Sequence, residues 1–309
     1  MTDQNTPVSG KVGLAARRKI RSVGTSMWSI LRFMLLFGLA FLILEPFFTK
    51  IVMAFMSPDD LLDPSVNMIP KHLSIYYWQI ALEGMELKKT FVNSLSLSVL
   101  VAVVQLFTSA LVGYGLARFR FRGRRLLFVM VILIMLIPPQ TYSIAQYLNF
   151  RYPFGLNISS IDTLIPMFVM ALGGMGFKQG LYIYLFMTFF RGLPQNLEDA
   201  AYIDGAGNFR TFWSVILPNS RSVIVTVLLF SFSWQWTDTS YAQLYFTRLK
   251  VIPAMIGSIY VRVGLTPDTI GTAIAQNSAC MLLIVPLLVL FLFGQRSLTQ
   301  SIARSGMAN

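Results

Sequence analysis

The sequence predicts an all-α integral membrane protein of about six transmembrane helices, with a folded cytoplasmic loop between helices four and five. Three observations carry this. Of 309 residues, 55% are hydrophobic and 12% charged, against about 25% charged in a soluble domain. Mean hydropathy is +0.63, more apolar side chain than one soluble core of this size can hide. The apolar residues fall in long continuous runs of roughly 20, the length that crosses a bilayer. No stretch alternates with period two, which excludes an outer-membrane barrel.

Residues 1–30 form a basic cytoplasmic tail without the apolar centre of a cleavable signal peptide. Residues 31–309 read as one transmembrane domain. Its apolar runs are Phe33–Met56, Phe91–Ala117, Leu126–Leu148, Leu164–Phe190, Ser222–Trp236 and Ala273–Phe293. The fifth is short, and Leu217 and Pro218 extend it, since proline is tolerated in a first helical turn.

Loop charge orients the chain. The tail carries Lys11, Arg17, Arg18, Lys19, Arg21 and Arg32 against Asp3, and the loop after the second run carries Arg118, Arg120, Arg122, Arg124 and Arg125 with no acid. The first alternate loop holds Asp59, Asp60, Asp63, Glu83 and Glu86 against three lysines. Basic loops stay in the cytoplasm, so both termini and the segment Arg191–Arg221 are expected there. The net charge of +12 thus orients the chain and meets anionic lipid rather than nucleic acid. A lone cysteine, Cys280, and a lone histidine, His72, leave no disulfide framework and no usual zinc constellation.

The segment 191–218 is too long and too periodic for a plain loop. Pro194 opens a short helix with Asn196 as its N-cap, and Glu198 and Asp199 face the helix dipole in its first turn. Leu197, Ala200, Ala201 and Ile203 make a small apolar face. Gly205 and Gly207 turn the chain into a second short helix, Phe209 to Ile216, which ends at Pro218. Such a knob suits docking to another protein.

This segment resembles the signature loop of ATP-binding-cassette importer permeases, whose pattern runs Glu-Ala-Ala, three residues, Gly, nine residues, Ile-x-Leu-Pro. Here Asp199-Ala200-Ala201, Gly205 and Val215-Ile216-Leu217-Pro218 stand at the same spacing, with Asp199 for the usual Glu. Met68 to Lys71, Ile137 to Gln140, Ala200 to Gly205, and the C-terminal Gln295-Arg296 and Ser305-Gly306-Met307 are similar to the carbohydrate branch, specifically the second permease subunit of maltose-type importers. The resemblance implies a multi-pass protein of the bacterial inner membrane, paired with a sister permease. It implies two cytoplasmic ATPase subunits, an extracellular solute-binding protein and a carbohydrate substrate. Glu198, Asp199, Ala200, Ala201, Asp204, Gly205 and Pro218 are then the ATPase-docking residues. No phosphate loop Gly-x-x-x-x-Gly-Lys-Ser/Thr occurs in the chain. ATP and Mg are therefore expected on the partner, with no cofactor here and no catalytic residues. The glycines Gly173, Gly174 and Gly176 read as close helix packing.

Polar groups inside apolar runs are the path candidates. Pro138 and Pro139 bend or end the third helix, and Gln140, Tyr142 and Gln146 follow at once. Trp234, Gln235, Trp236 and Asp238 combine ring faces with hydroxyl-binding groups suited to sugars, and Asn277 adds an amide in the last run. An interfacial aromatic belt would give the same residues. Two other readings stay open: an importer of a non-sugar solute, and a self-sufficient secondary transporter, which would need coupling charges or internal repeats.

Overall fold

The computed structural model describes residues 9–66, 69–264, 266 and 269–306, without the side chains of 9–27, 262 and 296–306. Met68, residues 1–8 and Met307–Asn309 lie outside the described residues, and the Ser305-Gly306-Met307 resemblance falls on undescribed side chains. Among the described residues the regular elements are helices, apart from one isolated bridge between Met56 and Leu73. The contacts divide the chain at Ile75/Tyr76.

The first unit holds α1 (Ser9–Ala54) and α2 (Pro58–Leu62). Proline in the first turn and Ser57 as cap start α2, the Ser57 hydroxyl accepting the Asp60 amide at 3.1 Å. Asp60 in turn accepts the His72 amide at 2.8 Å, which closes the loop.

The second unit runs α3 (Tyr76–Gly84), α4 (Leu87–Arg118), α5 (Arg124–Leu136), α6 (Ser143–Arg151), α7 (Ile165–Leu172), α8 (Gln179–Gly192), α9 (Asn196–Ile203), α10 (Asn208–Thr211), α11 (Arg221–Thr237), α12 (Ser240–Tyr245), α13 (Ile252–Ile256), α14 (Ile259–Val263) and α15 (Ile270–Gly306). The long central α4 carries two apolar clusters in succession. Toward its N-terminal half Leu97 and Val101 meet Met167, Met170 and Ala171 of α7 and Tyr241, Ala242 and Tyr245 of α12. Toward its C-terminal half Leu106, Ala110 and Tyr114 meet Tyr182, Phe186 and Phe190 of α8, Phe212 and Ile216, and Val223 and Val227 of α11. Gln105 stands at the junction, almost fully buried.

Three described helices are long and apolar enough to cross a membrane, Trp28–Ala54, Leu87–Arg118 and Ile270–Gln295; a fourth forms if Asn208–Ile216 and Pro218–Thr237, bent by 43°, count as one span. The third and fourth apolar runs are each two helices. Pro138 and Pro139 stop α5, because proline lacks the N–H and its ring crowds the preceding turn. The fourth run, expected as one helix, breaks over Gly173–Lys178 between α7 and α8. Gly174 has φ +75° and Lys178 φ +59°, backbone conformations no α-helix contains. The reading of this glycine cluster as helix packing is corrected accordingly. Backbone-to-backbone helix crossing is seen at Gly180 instead: a Cβ there would come within 2.9 Å of the Val131 carbonyl oxygen, so α8 passes directly against α5.

Candidate functional site

The two breaks face each other. Measured from the arginine-rich end, α5 rises 13 residues and α8 14, about 20 Å each at 1.5 Å per residue, and they cross at Gly180. Both helices therefore stop at the same level. Leu136–Gln140 and Tyr142 on one side and Gly176–Lys178 with Leu181 on the other line a cavity of about 440 Å³. A smaller one of about 140 Å³ adjoins it through Gln140 and Phe177 and reaches Ser240 and Tyr241.

A broken helix at this depth must have its freed backbone groups satisfied by protein, because lipid offers no hydrogen bonds. Two buried amides do this. Gln179 accepts the Gly176 N–H at 2.8 Å and donates to the Ala171 carbonyl at 2.7 Å. Gln105 of α4 donates to the Phe177 carbonyl at 3.3 Å and accepts the Ser231 hydroxyl of α11. Glycine at 176 leaves room for both amides: a Cβ there would lie 2.2 Å from Gln105 Nε2 and 2.6 Å from Gln179 Oε1, so both side chains would have to move. One neutral network thus holds the break of the fourth run against α4 and α11.

Of the predicted path residues, Gln140 and Tyr142 line the cavity. Trp234, 44% exposed, packs edge-on against Phe177 beside it. The rest lie elsewhere. Gln146 is buried in α6 outside the cavity lining. Gln235 is buried in α11. Asp238 is buried and caps the following helix, accepting the N–H groups of Ser240 at 3.2 Å and Tyr241 at 3.1 Å. Asn277 is half-buried in α15. Trp236 is core, stacked on Phe232 and donating to the Leu283 carbonyl at 2.9 Å. Gln105, Gln179 and Lys178 were missed, although each is a polar residue inside an apolar run, the signal that picked out the others.

The second site is the hairpin 191–218 at the arginine-rich end. Its helix α9 starts one residue earlier than expected. Gln195 already has helical angles, its carbonyl accepts the Glu198 and Asp199 amides, and Asn196 is the first helical residue rather than the cap. At the far end Gly205, φ +80°, gives the left-handed turn, with Gly205 N–H to the Tyr202 carbonyl and Ala206 N–H to the Ala201 carbonyl. That is the paired closure for which glycine is favoured. After α10 comes a single π turn, Phe212–Ile216, and Pro218 opens the 3₁₀ turn before α11.

The orientation of α9 differs from the expectation. Glu198 and Ala201, three apart and so on one helix face, point inward and are buried. Asp199, Ala200, Asp204, Gly205 and Pro218 are exposed, as are Leu197 and Ile203. The cause is Arg118, the last residue of α4. Its Nε lies 2.8 Å from Glu198 Oε1, and its Nη2 donates to the Leu193 carbonyl at 2.8 Å. Glu198 therefore latches the hairpin to α4. Burial raises the Glu198 carboxyl above the usual glutamate range even though Arg118 opposes it. Tyr114 adds an aromatic anchor, with ring centres 5.8 Å from Phe190 and 5.1 Å from Phe212, pairs worth about 0.5–1.5 kcal/mol each.

Long apolar helices, a cavity between two broken runs and a folded hairpin between α8 and α11 are the features of a membrane permease. The chain belongs to the family described as "binding-protein-dependent transport system inner membrane component", whose profile matches residues 105–304. It is 26% identical to a probable starch degradation products transport system permease protein, AmyC, of Thermoanaerobacterium thermosulfurigenes, over 71% of this chain and 77% of that protein. It is 24% identical to the arabinooligosaccharides transport system permease protein AraQ of Bacillus subtilis (strain 168), over 87% and 92%. In fold it matches a chain of a bacterial ABC transporter involved in the import of the acidic polysaccharide alginate. That match has a TM-score of 0.72 at 19% identity, over 88% of this chain and 97% of the other.

Proposed function

We propose that the protein is the membrane-spanning permease subunit of an ATP-driven importer for a carbohydrate, handed over by an extracellular binding protein. It pairs with a sister permease, and two ATPase subunits, which hold ATP and Mg, dock on the hairpin 191–218. The cavity between the broken helices is its share of the translocation path. Both termini and the hairpin lie in the cytoplasm, on the charge asymmetry of the loops.

The observation that carries this reading is the hairpin's construction. It is folded, tethered to α8 and α11, latched to α4 by Arg118, and presents Asp199, Ala200, Ile203 and Phe209 outward, Ile203 at 86% exposure. A rigid element joined to three helices can pass a displacement to the bundle, and its exposed apolar groups suit a protein partner. The relatives that transport starch products and arabinooligosaccharides support the substrate class.

The test is reconstitution in proteoliposomes with the sister permease, ATPase and binding protein, measuring uptake of a labelled oligosaccharide. Uptake should require ATP, and Gly205→Val, which forces a β-branched residue into a left-handed turn, should cut it at least tenfold while the subunit still inserts. Uptake driven by an ion gradient without the ATPase would sink the proposal.

A further inference from the structure

Lys178 has no part in the scheme so far. It is the single charged residue of the apolar run Leu164–Phe190 and stands exposed at the break between α7 and α8. A charge within an apolar run is costly unless it faces a partner or a wet cavity. No carboxylate among the described residues lies within ion-pair distance of its ammonium. The ammonium rests instead over two rings, 5.6 Å from the centre of Phe177 and 5.2 Å from that of Trp234, which stand at 77° to each other. Ring faces steady a cation without taking up its N–H donors. Lys178 also lines the 440 Å³ cavity together with Gln140 and Tyr142. The cavity thus holds a fixed positive charge, an amide, a phenol and an aromatic face, with no negative charge among its lining residues.

Resting on the reading of this cavity as the translocation path, we propose that Lys178 selects an anionic carbohydrate, one bearing a carboxylate or phosphate. Its ammonium binds the anionic group in passage, Phe177 and Trp234 receive a ring face, and Gln140 and Tyr142 take hydroxyls. Such a residue acts on the moving substrate, so its loss changes which sugars pass more than it changes assembly or ATP hydrolysis.

The whole transporter, with its binding protein, is reconstituted and offered labelled maltotriose, trigalacturonate and glucose 6-phosphate. Wild type should take up at least one anionic probe in an ATP-dependent manner, the two anions separating a uronate from a phosphate specificity. Lys178→Gln should lower that uptake at least tenfold, Lys178→Arg should keep half or more, and basal ATP hydrolysis should hold within twofold in both. Uptake of maltotriose alone, or anionic uptake unchanged in Lys178→Gln, overturns the inference while the carbohydrate-importer reading stands. Loss of the assembled complex in Lys178→Gln also overturns it, assigning the side chain to a subunit contact. ATP-dependent uptake of none of the three overturns both.

Discussion

The break between α7 and α8 and the hairpin 191–218 face the same problem, a chain that leaves its helix and must place the freed groups. They solve it with different chemistry. At the break every bond among Gln105, Gln179, Ser231 and the freed backbone groups is between neutral partners. At the hairpin a charged pair, Arg118 and Glu198, does the work. Burying a neutral amide with its bonds satisfied costs little, whereas burying ions carries a desolvation penalty that their attraction only partly offsets. A charged latch is tolerable near an end of the bundle, where Arg118 keeps 13% exposure. The interior break depends on geometry, and the hairpin on charge.

The largest effect expected from that contrast is at the latch. Arg118→Ala leaves Glu198 as an uncompensated buried carboxylate and strips the Leu193 carbonyl of its donor. It should cost about 3–5 kcal/mol of local stability, read as lost hydrogen-exchange protection across α9. Protection unchanged from wild type would remove the latch from the account. Next comes Gly176→Ala, which displaces both amides at the break. About 1–3 kcal/mol should be lost, seen as a lowered Tm of the purified complex with the hairpin's protection intact. A variant as stable as wild type would show that the amides can shift without penalty.

The contrast sharpens in the pair Arg118→Met with Glu198→Leu. Replacing both charges should recover most of what Arg118→Ala loses, to within about 1–2 kcal/mol of wild type. No such rescue is expected at the break from Gln179→Leu, whose backbone partners stay polar and buried. Equal rescue at the two places would erase the distinction.

The smallest effect is in pH. Glu198 is raised by burial against the pull of Arg118. Asp162, in the loop before α7, is also pushed up by burial, but the amides of Arg248, Thr247 and Leu249 overcome it and leave the carboxyl low. The signs therefore oppose. A raised acid contributes stability that is full below its ordinary pKa and is lost as pH rises through the folded value; a depressed acid contributes above its ordinary pKa and loses it as pH falls through the folded value. Acidifying from neutral should tighten α9 and then loosen residues 245–249, read by hydrogen exchange on both segments. Parallel responses would show that one of the two carboxylates is not titrating in its folded environment. Asp162→Asn should flatten the second response and leave the first.

Much of this was legible in residue order. Composition, run length and loop arginines establish a polytopic helical membrane protein, because hydrophobicity and charge are summed properties that need no contacts. The hairpin is legible for a local reason: Gly205 marks a left-handed turn, and Pro194 and Pro218 bound helical turns through their own backbone chemistry. Pro138-Pro139 announces the end of α5 in the same way. Only tertiary structure decided the rest. Which face of α9 turns inward depends on Arg118, distant in sequence and indistinguishable in composition from the other arginines of its loop. That Gly176 belongs to a break rather than a packing face depends on Gln105 and Ser231 arriving from two other helices. Lys178 becomes part of a cavity only because α5 and α8 stop at one level, a height set by their crossing at Gly180. Local backbone preference is written residue by residue, but a polar group's partner is settled by whichever helix packs beside it.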